Sequence, residues 1–145
     1  MTRVVKMLLV HDLVEIDAGD IAVYHLDKEN ESKKVEQEQV AADRIFGLLP
    51  VEQGAEFRAL WEEFEARETP EARFAWALDR FQPMLHNYHT AGRTWQEVGV
   101  GADRVLALNQ PIWADGAPAL EQYALRMIAD AVAKGYLPAK SRGQG

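Results

Sequence analysis

KMLLVHDLVEIDAGD, residues 6–20, decides how this chain is read. Apart from Lys6, His11, Asp12 and Glu15, the run from Val4 to Ile16 is apolar almost all the way round. A helix apolar on every side is normally buried. A buried imidazole and carboxylate must then be paired, neutralised or bound to a cation. In a predicted helix over residues 2–15, His11 and Glu15 lie one turn apart on the same face, and Asp12 and Glu15 are neighbours three apart. Asp20 comes just past the helix end, close enough in the chain to fold back over that face. One imidazole and three carboxylates within ten residues can bind a divalent cation and position its water. A helix end with a hydrogen-bonded histidine and solvated acids fits the same residues, and the residues alone leave both readings open.

The chain has 145 residues, 48% of them hydrophobic and 27% charged, which suits one ordinary globular domain with a real core. The expected domain is 1–137, followed by a flexible tail at 138–145. No apolar run approaches the length of roughly 18 to 20 residues that spans a bilayer. The basic-then-apolar start runs straight into His-Asp without a small-residue cleavage site, so it does not read as a signal peptide. With no cysteine, any metal must be held by nitrogen and oxygen. That usage suits a cytoplasmic protein. A net charge of −7 argues against a nucleic-acid polymer as principal partner. It is compatible with a small phosphorylated substrate, because a bound divalent cation supplies the local positive charge.

The pattern is helical throughout, with no alternation long enough for a strand, so the fold is expected to be all-α with about six helices. After a predicted loop or lid at 17–32, a second helix is expected at 33–49, with Val35, Ala42, Ile45 and Leu49 inward and Pro50 at its end. A third spans about 52–67, where Phe57, Leu60, Trp61 and Phe64 recur at helical spacing. Thr69-Pro70-Glu71 is a strong helix start: a capping hydroxyl, proline at the first position, then an acid. The fourth helix runs to about Tyr88 with Phe74, Leu78, Phe81 and Leu85 as its stripe and a kink expected at Pro83. Gly92, Gly99 and Gly101 punctuate the next stretch. Helices at 102–110 and 118–134 complete the pattern, the last with Leu120, Ala124, Met127, Ile128 and Ala131 inward.

Asp79, beside Leu78 at the edge of that fourth stripe, is the second candidate ligand. A salt bridge to a neighbour such as Arg73, or plain exposure, is the alternative for it. His86 stands seven residues on, about 10 Å along the axis, too far to share an ion with Asp79. His86 and His89 are therefore read as packing or rim residues, and His25 as a solvated loop histidine. Trp61, Trp76 and Trp113 are read as core.

At His11-Asp12, Glu15, Asp20 and Ala77-Leu78-Asp79-Arg80 the chain resembles the HD-domain metal-dependent phosphohydrolases, above all the YfbR-like 5′-deoxynucleotidases. KMLLVHDLVEIDAGD and FAWALDRFQPMLHNY (residues 74–88) carry much of a likeness that covers nearly the whole chain. The resemblance implies an H…HD…D ligand set on one divalent metal, with His11, Asp12 and Asp79 as three of the four. It does not distinguish Mn, Co, Zn, Fe or Mg. It assigns Glu15 and Asp20 to positioning or activating water and assisting the leaving group. It further implies hydrolysis of a deoxynucleoside 5′-monophosphate, an all-α globule and a homodimer. The family's first histidine belongs on a helix upstream of the pair, where this chain has ten residues and no histidine. The expectation is therefore an HD domain lacking its N-terminal helices, including an Arg-Trp pair that helps choose the substrate. A non-catalytic fragment acting as a metal-binding or interaction module is the alternative, and a plain helical bundle the third.

Overall fold

The computed structural model describes residues 2–19 and 28–141. Every regular element among them is helical, in agreement with the all-α expectation. No helix among the described residues is long and apolar enough to cross a membrane. The chain divides into two compact units, Met1–Ala72 and Arg73–Gly145.

The first unit holds α1 (Thr2–Val10), a 3-10 turn (His11–Val14), α2 (Glu15–Ala18), α3 (Lys28–Phe46) and α4 (Val51–Ala66). Val4, Met7, Val10 and Val14 are buried in a core shared with Ala41, Ala42 and Phe46 of α3 and Leu60, Trp61 and Phe64 of α4. The first segment is not buried all round, however: Val5, Leu9 and Ile16 are 49%, 70% and 72% exposed. α4 packs against α1, and α3 against the 3-10 turn, so the core draws on one side of the segment. Val5 and Leu9, one helical turn apart, lie on another.

Nor is the segment one continuous α-helix. The His11 Nδ1 hydrogen-bonds the Leu8 carbonyl at 2.9 Å. A regular α-helix would give that carbonyl to the Asp12 N–H. Such side-chain bonds compete with the helical ladder, and here the chain tightens into the 3-10 turn. α2 then stops at Gly19, whose φ of 80° is left-handed and whose N–H reaches the Glu15 carbonyl at 2.8 Å. Glycine adopts that conformation without strain.

α3 starts and ends earlier than 33–49. A turn at 47–49 intervenes, and Pro50 introduces α4 rather than terminating α3. Val35, expected inward, is exposed, whereas Ala42 is fully buried. α4 matches its expected span and buries Leu60, Trp61 and Phe64 as expected.

α5 (Pro70–His89) begins where the capping signal places it, the Thr69 Oγ1 accepting the Ala72 N–H at 3.1 Å. It continues through Pro83. Its buried positions include Ala75, Ala77, Met84 and Asn87, whereas the expected stripe of Phe74, Leu78, Phe81 and Leu85 is only partly covered. Small side chains let neighbours close in. A Cβ at Gly116 would stand 3.1 Å from the Ala77 Cβ and 2.3 Å from the Arg73 carbonyl oxygen. Phe81 instead meets Trp113 and Tyr123 edge-on, with ring centroids 6.4 and 5.9 Å away.

The second unit continues with α6 (Arg93–Val98), α7 (Ala102–Gly116) and α8 (Pro118–Ala133). α6 was hidden among the glycines. α7 runs past its predicted end at 110 and carries Pro111. α8 buries Ala124, Met127, Ile128 and Ala131 as expected. Residues 138–141, read as the start of a flexible tail, are tied down. The Pro138 carbonyl accepts the Ala102 N–H at 2.8 Å, and Ser141 N–H and Oγ–H both donate to Asp103, at 2.9 and 2.8 Å.

Candidate metal centre

His11 opens the 3-10 turn with its side chain 12% exposed, while that of Asp12 is 72% exposed. The carboxylate expected inside the core therefore lies at the surface, and the imidazole leans against it from the covered side. His11 Nε2 and Asp12 Oδ1 are 3.0 Å apart. The other ring nitrogen faces the Leu8 carbonyl, and the ring packs on Phe64 of α4 with centroids 4.5 Å apart and planes at 44°.

This arrangement tests whether the pair suits a cation. A neutral imidazole has one N–H, yet two acceptor oxygens face the two ring nitrogens. Placing the proton on Nδ1, toward Leu8, leaves the Nε2 lone pair opposite a carboxylate oxygen, which is repulsive unless a positive species lies between them. A second proton or a metal ion meets that need. Two donors 3.0 Å apart can both reach one cation at the ordinary ligand distance of about 2 Å. An Nδ1–H bonded to a backbone carbonyl is also the usual outer contact of a metal-ligating histidine. The pair fits a divalent metal. Among the described residues, no group of three or more His, Asp or Glu side chains is close enough to hold an ion by itself.

Glu15 opens α2, half-buried, directly after the turn. Asp20 and His25 lie outside the described residues. Asp17, between the two expected catalytic acids, accepts with both carboxylate oxygens from one edge of the Arg44 guanidinium of α3, Nε donating to Oδ2 and Nη2 to Oδ1 at 2.6 Å. That hydrogen bonding holds its carboxyl below the usual range. Asp79 is half-buried on α5, in the second unit. His86 and His89 are exposed, the latter edge-on to Tyr88 at 5.5 Å, in keeping with rim positions. Trp61 and Trp113 are core, as expected. Neither the Leu8 carbonyl nor Phe64 is a candidate site group in the sequence. The 3.6-residue period offers a signal for the first, since Leu8 precedes His11 by almost one turn. Phe64 reads only as a core residue of α4.

A family model for the HD domain matches residues 1–121, and the chain belongs to the HD domain family. It is 37% identical over 83 residues to the human 5'-deoxynucleotidase HDDC2, a match covering 57% of this chain and 40% of that protein. The Danio rerio protein of the same name is 38% identical over 88 residues, covering 59% and 43%. The chain thus spans about two fifths of the length of these curated relatives. A crystal structure of a predicted metal-dependent phosphohydrolase from Magnetospirillum magnetotacticum MS-1 superposes with a TM-score of 0.83 at 50% identity. It covers 94% of this chain and 68% of that one.

Proposed function

We propose that this chain carries the metal-binding pair of a metal-dependent phosphohydrolase whose substrate is a deoxynucleoside 5′-monophosphate. The observation that carries the reading is the His11–Asp12 pair, two donors 3.0 Å apart with the far imidazole nitrogen held by a backbone carbonyl. The names of the relatives and of the structural neighbour support it. His11, through Nε2, and Asp12 would hold one divalent cation, with Asp79 as a third ligand. When bound, the cation supplies positive charge that offsets the phosphate and makes water a better nucleophile. Glu15 takes the proton of the attacking water as its oxygen bonds to phosphorus. As the bond from phosphorus to the 5′ oxygen breaks, Asp20, entering the cycle protonated, gives its proton to that oxygen; Glu15 then releases its proton to solvent and Asp20 takes one up. The same reading makes the protein a homodimer, as the family resemblance implies, and a cytoplasmic one, which the absence of cysteine suits.

A second reading, cation binding without turnover, draws on the lack of a larger ligand group among the described residues. Metal-stripped protein reloaded separately with Mn, Co, Zn, Fe or Mg and offered deoxynucleoside and nucleoside monophosphates separates the two. Phosphate release that disappears in His11→Ala and in Asp79→Ala supports hydrolysis. Full activity in Asp79→Ala sinks its place in the site. Metal uptake without phosphate release favours the second reading.

A further inference from the structure

We infer that Arg80 is an anion-binding residue that takes the phosphate of the substrate, its guanidinium aimed by the buried amide of Asn109. That the anion is the substrate's phosphate rests on the function proposed above. Arg80 is half-buried on α5. Its Nε donates to Asn109 Oδ1 of α7 at 2.9 Å. Asn109, 3% exposed, donates in turn from Nδ2 to the Val105 carbonyl at 2.8 Å, which fixes the end of the amide that faces the arginine. An amide has no net charge, so the guanidinium keeps its own. Among the described residues no carboxylate pairs with Arg80 and no acceptor takes its terminal N–H groups.

A charge drawn partly out of water is ordinarily paired with its opposite. Acids are not scarce here, with 23 Asp and Glu against 16 Lys and Arg. Two turns earlier on α5, Arg73 shows the ordinary solution, its Nε 3.4 Å from Oδ2 of Asp115 on α7. Arg73 and Arg80 thus bridge the same two helices, one to a carboxylate and the other to an amide. A carboxylate at 109 would neutralise Arg80, whereas the amide only aims it. With Nε spent, both Nη groups remain as donors, and their fork matches two oxygens of a phosphate. Arg80 directly follows Asp79, with Cα atoms about 3.8 Å apart. Successive helical side chains diverge by about 100°, so Arg80 contacts the phosphate from beside the cation that Asp79 would hold.

The test uses the whole chain, with inorganic phosphate as the probe. In metal-free, 15N-labelled protein the Arg80 Nε–H signal is expected to shift saturably with phosphate and to stay in place with chloride at equal ionic strength. Arg80→Gln is expected to bind phosphate about tenfold more weakly, in the range for a lost charged hydrogen bond. Arg126→Gln, which removes the same charge from an exposed position on α8, should match wild type. In metal-loaded protein, Arg80→Gln should raise KM by about the same factor for dAMP and dCMP, because a phosphate contact does not read the base. Equal shifts with chloride, a signal that ignores phosphate, or wild-type affinity and KM in Arg80→Gln would overturn the assignment. Should Arg80→Gln fail to fold by circular dichroism, the phosphate titration of wild type decides alone. Phosphate bound at Arg80 by a protein that hydrolyses no nucleotide upholds the anion site and defeats the hydrolase reading instead.

Discussion

His11 and Asp12 adjoin in sequence yet differ sharply in environment, one side chain largely covered and the other in solvent. Their adjacency is plain in the sequence, and so is the chemistry that an imidazole beside a carboxylate offers. Their difference in burial depends on the 3-10 turn and on Phe64, which approaches from 53 positions along the chain. Asp17 teaches the same lesson. It stands among the acids after the pair, but Arg44 of α3 occupies it, a pairing across 27 positions that no local spacing foretells. At this scale the Arg3–Glu63 pair makes a pH prediction. Hydrogen bonding from the Arg3 guanidinium holds the Glu63 carboxyl below its ordinary range, with a smaller contribution from Thr69. A carboxyl whose folded pKa is lowered binds fewer protons folded than unfolded, so its stabilisation is complete above the ordinary glutamate range. It is lost as pH falls through the folded value. Acid titration followed by circular dichroism is expected to show part of the stability of wild type vanishing in that window. Arg3→Gln should show a smaller pH dependence there, and an identical profile would exclude the contribution.

Among the elements, α4, the start of α5 and α8 fall where their sequence signals place them. The reason is local: a hydroxyl cap, a proline at the first helical position and a helical apolar period act within a turn or two. Thr69 serves two neighbours, accepting the Ala72 N–H and donating to Glu63 Oε1 at 2.6 Å. Thr69→Ala is expected to lower unfolding stability by about 1 kcal/mol, in the range for a lost N-cap, as measured by urea denaturation. A change within error would mean that water replaces the cap. Elsewhere the period misleads. The aromatic and leucine stripe of α5 suggests its buried face, but close packing by Gly116 favours Ala77 instead. α6 is a six-residue helix between left-handed glycines, too short for any period to reveal.

Across the molecule, the exposed apolar side of the first segment contrasts with its buried side. Leu9 and Ile16 contribute little to the chain's own core. Substitutions at uncovered positions usually change stability by less than about 0.5 kcal/mol. Leu9→Lys is therefore expected to leave the melting temperature of the chain nearly unchanged and to reduce any concentration-dependent self-association seen by light scattering, since exposed apolar patches promote association. A marked loss of stability would show that Leu9 is covered. The helical class, the capped starts and the HD spacing that marks the family were already determined by the sequence, because each depends on residues close together or on a motif of fixed order. Tertiary structure alone decided which side of the first segment is buried, that the imidazole of the His-Asp pair is covered while its carboxylate stands in solvent, and that Asp17 is captured. Those outcomes depend on side chains arriving from α3 and α4, and burial is a property of the partners as much as of the residue.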